Sequence, residues 1–469
     1  MSEGSEDGGS GDSESGDSEA AGDERFPNGA PPGPDRLPVV GNALPFFRRP
    51  FEYRTWVAEE FGDVADVSGL GRTAFLVSHP EDIQQVLVTD DHQFVKPSFE
   101  KRFVARAFGE SLAFVDGEQW RRARQLFQPA FTMAKIERYG ATMVDNAEAL
   151  AADWPATGRV DIGAEMRELT FAVLARTLFD VDTAAIPDLH DDFEAVATKL
   201  RPARAVVPDW LPTGTNRRYK RALARLEATI DDLVAQRKGE GGDGDDLLSV
   251  LVAANDEGDA TLSDERLRDE MMGFLFAGHE TTAMALTFTC YLLATHPDVQ
   301  RRLREEIAAV LKEERPTVTD LAGFDLLDRV VDESLRLYPP NHMIPREPTT
   351  DVALGGYRIP EGSSVYCSQW VVHRDERWWD SPGQFRPDRW TGEADRPEYA
   401  YFPFGGGRRH CIGMRFARME IRLALARILS THRFTGAPSG DPPLAAGLTL
   451  HPSEPIELGV EREAAGGTD

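Results

Sequence analysis

Cys411 lies in the stretch Phe404-Gly405-Gly406-Gly407-Arg408-Arg409-His410-Cys411-Ile412-Gly413, just ahead of a segment, 414–429, whose apolar spacing predicts an amphipathic helix. Glycines permit tight backbone geometry there, and a helix N-terminus offers amide donors and positive dipole to an anion. A cysteine so placed, beside arginines, is expected to be a thiolate, the form that ligates metals. A free cysteine is more ordinarily a small buried hydrophobe, the reading given to Cys290 and Cys367. A triglycine run could also cradle a phosphate, but the sequence lacks the strand–Gly-rich loop–Lys-Ser/Thr arrangement. Zinc finds no Cys-x-x-Cys. One thiolate on a glycine-rich loop points to iron held in a porphyrin.

A second group is Ala277-Gly278-His279-Glu280-Thr281-Thr282. As a zinc site it would need a second histidine at 283, one turn on, and position 283 is alanine. Two readings stay open. In one, the helix opens locally at Gly278, the Thr281 hydroxyl bonds the Ala277 carbonyl, and a hydroxyl and a carboxylate flank a small groove. In the other, Thr281 back-bonds and Glu280 pairs with a core arginine.

The element that must carry this group is long. Ser263 is a good N-cap, Asp264 and Glu265 suit a first turn, and His296-Pro297 stops the pattern. The ~32 residues between would span about 48 Å, so the helix must cross the core and its middle must be buried. Segments 119–131 (ending or bending near Pro129), 141–152, 164–179, 189–200 and 216–237 read as further helices, and 64–67 and 74–78 as short strands. The Gly- and Asp-rich segment 239–246 reads as a mobile loop.

The 469 residues carry 79 acidic and 52 basic side chains, a net charge of −27, which disfavours nucleic acid and anionic membrane surfaces as partners. Only 7 of the 52 bases are lysine. An acidic, lysine-poor surface stays hydrated at high salt, so a halophilic source is expected. Three cysteines make no disulfide framework, and a reducing, cytoplasmic setting is expected. Residues 1–24 hold nine acids and no base; they lack the basic start and apolar stretch of a secretory signal and read as a disordered acidic tail. The uncharged run 281–295 is too short for a spanning helix, so no transmembrane anchor is expected. With no repeat and few linker-like stretches, the chain reads as one large, mainly helical domain over 25–463, followed by a short tail at 464–469.

The stretch 404–413 resembles, at every fixed position, the heme-binding signature of the cytochrome P-450 family, Phe-Gly-x-Gly-x-Arg-x-Cys-x-Gly. Ala277–Thr282 resembles its oxygen-binding helix motif, Glu333-Ser334-Leu335-Arg336 its Glu-x-x-Arg, and Phe385-Arg386-Pro387-Asp388-Arg389-Trp390 the region supplying the third member of that ion network. Trp120-x-x-x-Arg124 resembles the motif near the heme propionates. Five motifs in order, across 36–460, imply the family's fold: multihelical, with small β-sheets and heme b buried between the long helix and the cysteine loop. The acid surplus adds the expectation of a soluble prokaryotic type, from a halophilic archaeon.

By this resemblance Cys411 is the axial iron ligand, its electron donation favouring O–O cleavage. Arg409, Trp120, Arg124, Arg346 and, less directly, Lys96 are propionate candidates, and Phe404, Ala277 and Gly278 adjoin the cofactor. Glu333, Arg336 and Arg389 form a structural network. Thr281 and Glu280 are the alcohol–acid pair that delivers protons to bound dioxygen, which implies a monooxygenase. A peroxide-driven peroxygenase and a non-catalytic heme gas-binding protein are the alternatives.

No nicotinamide, flavin or iron–sulfur motif is present, so electrons are expected from a separate ferredoxin or flavodoxin, docked on Arg121, Arg122, Arg408, Arg415 and Arg418. The substrate pocket is expected to draw on Phe94, Phe99, Phe103, Phe108, Phe114, Val206, Val207, Trp210 and residues near Met343, and so to take an apolar molecule. The Ala-Gly-His-Glu-Thr-Thr form resembles relatives acting on fatty acids, terpenoids or carotenoid-like molecules.

Overall fold

A computed structural model describes residues 26–462 apart from 37–39, 184–185, 187, 200–209, 241–243, 245, 258–261, 313, 393–394 and 439. The acidic tail 1–24, the tail 464–469, Val206 and Val207 lie outside the described residues, as does the side chain of Phe103.

Eight helices build the frame of the site: α1 (Gly117–Phe127), α2 (Gly140–Asp153), α3 (Ile162–Phe179), α4 (Asp188–Lys199), α5 (Gly214–Gly239), α6 (Asp264–Thr295), α7 (Asp325–Leu337) and α8 (Met414–Thr431). The long helix begins and ends where its sequence dictates. The Ser263 hydroxyl accepts from Arg266 N at 3.2 Å, and Pro297 starts the next helix. From Leu267 to Leu293 it is buried on most of its circumference. Helix α3, its chief neighbour, is also buried along most of its length, with Glu168 and Arg176 left on its exposed side. Helices α5, α7 and α8 also pack on α6. A buried hydrogen bond, Thr289 Oγ1 to Ser334 Oγ at 2.8 Å, ties α6 to α7.

One of the open readings is excluded and one expectation needs correction. The helix does not open at Gly278: α6 is continuous, and the groove there is the missing side chain alone, since a Cβ on Gly278 would lie 3.1 Å from the Leu174 methyls. Nor is Asp246 part of a mobile loop. It is buried, accepts from Arg237 Nε at 3.1 Å and from Ser249 N at 3.0 Å, and so fixes the start of the following helix.

A five-stranded sheet flanks the helices: β1 (Val64–Asp66), β2 (Ala74–Val77), β3 (Phe94–Val95), β4 (Ile344–Pro348) and β5 (Ser364–Cys367), in the order β1-β2-β5-β4-β3. Only β2 and β5 run parallel. The sheet packs a small second core that includes Phe75, Ile83, Val365 and Cys367. Cys290 is buried in the main core, and burial raises both thiols, Cys367 to about 12. Neither is placed to do chemistry.

Candidate heme and dioxygen site

A cavity of about 1040 Å³ lies between the middle of α6 and the loop before α8. Ala277, Gly278, Thr281 and Thr282 form one wall; Phe404, Arg409 and Cys411 form the other. Both walls follow from local chain chemistry. On α6 the cavity meets Phe274 and Phe276 and then a run of small residues, with Ala277 exposed to it. In the loop, Gly405 and Gly407 hold φ of 75° and 61°, and a Cβ on Gly407 would lie 2.1 Å from the Leu87 carbonyl oxygen. Only glycine fits that approach. The loop is pinned by Cys411 N donating to Phe404 O at 2.9 Å and Arg124 Nη1 donating to His410 O at 3.0 Å.

Cys411 is accessible from the cavity, yet its thiol is not held as a thiolate by its arginines. Burial pushes it above the ordinary thiol range, and the Gly413 N–H and Arg124 only partly offset this. A coordinated metal cation supplies what they do not, because it deprotonates a ligating thiol outright.

Cations gather at one edge. Lys96, Arg346, Arg409 and Arg124 all line the cavity with Trp120, over whose ring the Arg409 guanidinium sits at 4.6 Å. Arg409 donates to Asp116 at 2.6 Å and to the Val115 carbonyl at 3.1 Å. Lys96 and Arg346 have no ion-pair partner among the described residues. Burial and the neighbouring Arg346 lower Lys96 to about 7; burial lowers Arg346 as well. Such a surplus of enclosed positive charge suits an anionic ligand.

The Thr281 hydroxyl donates to Ala277 O at 2.6 Å, leaving its oxygen as an acceptor at the cavity wall. Glu280, by contrast, does not line the cavity. It is buried and paired with Arg167 on α3, at 3.2 and 3.4 Å. Burial opposes its charge, but the Arg167 guanidinium prevails and holds the carboxyl below its usual range. Of the two readings of this hexapeptide, the core arginine pair is the one seen. Arg167 was not legible as its partner, being 113 positions away.

The Glu333 carboxylate, on α7, is fully enclosed. It accepts from Arg336 at 2.9 Å through both oxygens, from Arg389 Nε at 2.8 Å, from Trp390 Nε1 at 3.0 Å and from Arg386 N at 2.9 Å. Arg336 also donates to His373 O at 2.7 Å and Pro382 O at 2.8 Å. His373 Nε2 in turn accepts from Phe402 N at 3.1 Å, two residues before the cysteine loop. Trp390 is a member that sequence reasoning left out of the network.

Other expected residues fall differently. Phe99, Phe108, Phe114 and Met343 line the cavity, but Phe94 packs in the sheet-side core, and Trp210 is 78% exposed and away from the cavity. The arginines assigned to docking are largely engaged. Arg121 and Arg122 pair with Glu118, Arg408 with Asp91 and Arg418 with Asp332, while Arg415 is exposed. Among the described residues no helix is long and apolar enough to cross a membrane.

A thiol facing a helix wall across a largely apolar cavity, with cations at one edge, is an arrangement that suits a heme protein. The chain belongs to the cytochrome P-450 family, whose model matches residues 31–460. It is 35% identical to cyclooctat-9-en-7-ol 5-monooxygenase of Streptomyces melanosporofaciens, over 86% of this chain and 89% of that one. It is 34% identical to pentalenene oxygenase of Streptomyces avermitilis, over 89% and 94%. Among solved structures, a cytochrome P-450 heme domain shares 28% identity with a TM-score of 0.84, over 93% of this chain and 98% of that one. A retinoic-acid-bound cyanobacterial structure shares 26%, also with a TM-score of 0.84, over 93% and 99%.

The chain is thus a heme b monooxygenase, and the donor set fits that cofactor. Cys411 is the thiol ligand available in the cavity, Ala277 and Gly278 leave room on the opposite side, and the cation edge suits carboxylates. When bound, heme supplies dioxygen binding and reductive O–O cleavage.

Proposed function

We propose that this monooxygenase oxidises an apolar, terpenoid-like small molecule with electrons from a separate acidic redox protein. The observation that carries the substrate class is the cavity above the cysteine loop, walled largely by aromatic and aliphatic side chains such as Phe108, Phe114, Phe276 and Leu178. The names of the Streptomyces relatives, an oxygenase of pentalenene and a monooxygenase of cyclooctat-9-en-7-ol, support it. In this reading Cys411 ligates the iron, Arg409, Arg346, Lys96, Arg124 and Trp120 hold the propionate edge, and Phe404 packs beneath.

Proton delivery falls to Thr281 and Glu280. Thr281 accepts a proton-bearing group at the cavity wall, and Glu280 relays from behind the helix once it leaves Arg167. Thr281→Ala should therefore uncouple the reaction, raising peroxide released per reductant consumed several-fold at unchanged substrate affinity. Coupling equal to that of the parent would remove Thr281 from the relay. Oxidation supported by dioxygen and reductant, and not by peroxide alone, tests the monooxygenase reading against the peroxygenase one.

Donor docking on the cysteine side is supported by Arg121, Arg122, Arg408 and Arg415, which are exposed there. The pairing of Arg121 and Arg122 with Glu118 is an exposed one, worth little. Reversing Arg121 and Arg122 to Glu should slow first-electron transfer at low ionic strength about tenfold or more; an unchanged rate removes this docking face. A cytoplasmic, halophilic archaeal setting is supported by the acid surplus and scarcity of lysine. Tm should then rise from low to molar KCl, and a maximum at low salt would refute it.

A further inference from the structure

The mechanism leaves one cluster of side chains unused, on the far side of α6 from the cavity. His190 and Glu194, four apart, share one face of α4. They meet His279 of α6, and one ligand atom from each of the three lies within 4.8 Å of the others. His279 is fully enclosed. Its ring is held edge-on by Phe193 at 4.9 Å and Phe171 at 5.5 Å. His279 Nε2 bonds the Arg167 carbonyl at 3.0 Å, so the proton belongs on that nitrogen and the lone pair on Nδ1. Nδ1 of His279 and Nε2 of His190 are both buried with no hydrogen-bond partner.

Two histidines, each with an orphaned buried ring nitrogen, and a carboxylate clustered this closely are costly as a bare arrangement. A metal ion makes sense of them. The backbone carbonyl behind His279 is the outer partner that a ligating histidine ordinarily has. We propose that His190, Glu194 and His279 form a binding site for a divalent transition ion of the zinc type, separate from the heme iron. Three ligands of the His-His-Glu kind, with water as the fourth, suit tetrahedral zinc at about 2.0–2.2 Å per bond. Such a site holds its ligand atoms about 3.4 Å apart, so loading needs a closure of at most about 1.4 Å, within reach of side-chain rotation. The ion would cross-link α4 to α6 one residue from Glu280, without facing the substrate cavity.

The test uses the heme-loaded full chain, so that Cys411 is not a competing zinc ligand. After chelator treatment, titration calorimetry with ZnCl2 should give one tight site per chain, with a rise in Tm. His190→Ala and Glu194→Gln should each weaken that site by about tenfold or more and abolish the Tm rise, with heme content unchanged. Absence of a one-to-one site, or variants that bind zinc as the parent does, would overturn the proposal. Should His190→Ala fail to fold, the Glu194→Gln result decides, because Glu194 is partly exposed and its isosteric replacement spares the packing.

Discussion

Glu333→Gln is expected to destabilise the protein by about 3–5 kcal/mol, read as a lower midpoint in denaturant, with heme content falling in parallel. The magnitude follows from the asymmetry of buried ion networks. The carboxylate accepts five N–H donors from Arg336, Arg389, Trp390 and the Arg386 backbone. An amide has two donors of its own, so it turns one face of the network from attraction to collision and leaves two enclosed guanidinium groups under-compensated. Heme content enters through the chain Glu333–Arg336–His373–Phe402, which ends at the cysteine loop. The exposed pair Arg302–Asp388 is the control, and Arg302→Ala should cost no more than about 1 kcal/mol. A loss for Glu333→Gln no larger than that control would refute the network's role. The pH dependence has a definite sign. Burial acts against the charged form, but Arg336 and the other donors prevail and hold Glu333 below its ordinary carboxyl value. Its contribution is full above the unfolded carboxyl pKa and is lost as pH falls through the lower, folded value.

Cys411→Ser should remove the strongly red-shifted Soret band of the reduced, carbon monoxide-bound protein and take oxidation to background, while the Tm of the heme-free chain changes little. The parent should show that band; a histidine-type spectrum would refute Cys411 ligation. The fold is spared because the contact holding this position is made by the backbone, Cys411 N to Phe404 O, and a hydroxyl replaces the sulfur at nearly equal size. What is lost is the ligand's character. An alcohol at a cavity wall that already disfavours the ionised thiol has still less tendency to deprotonate. A substantial fall in the Tm of the heme-free chain would mean that the sulfur packs rather than ligates, because loss of bound heme lowers Tm on its own.

The limits of reading this site from sequence are physical. Residues acting through local chain chemistry were legible: the Ser263 cap, the Pro297 stop, the glycines that bend the loop before Cys411 and the Glu333–Arg336 pair one turn apart. Periodicity also placed α1 to α5 within a few residues of their bounds. What depended on distant packing was not legible. The pairing of Glu280 with Arg167 and the meeting of His190 with His279 arise only once α3, α4 and α6 are laid together. The Cys411 thiol misled for a related reason. Neighbouring arginines in sequence suggested a thiolate, but desolvation, a property of the whole fold, outweighs them. Trp210 shows the reverse error, since a large apolar side chain near a pocket-forming segment need not face the pocket.

Thr281 and Cys411 face one cavity from positions 130 residues apart in the chain. Bringing such distant segments together costs loop entropy before any contact between them is gained. Neither wall can recruit the other by local structure. They are brought into register by α7 and α8 packing on the long helix, so oxidation chemistry belongs to the completed topology and cannot be carried by either motif in isolation.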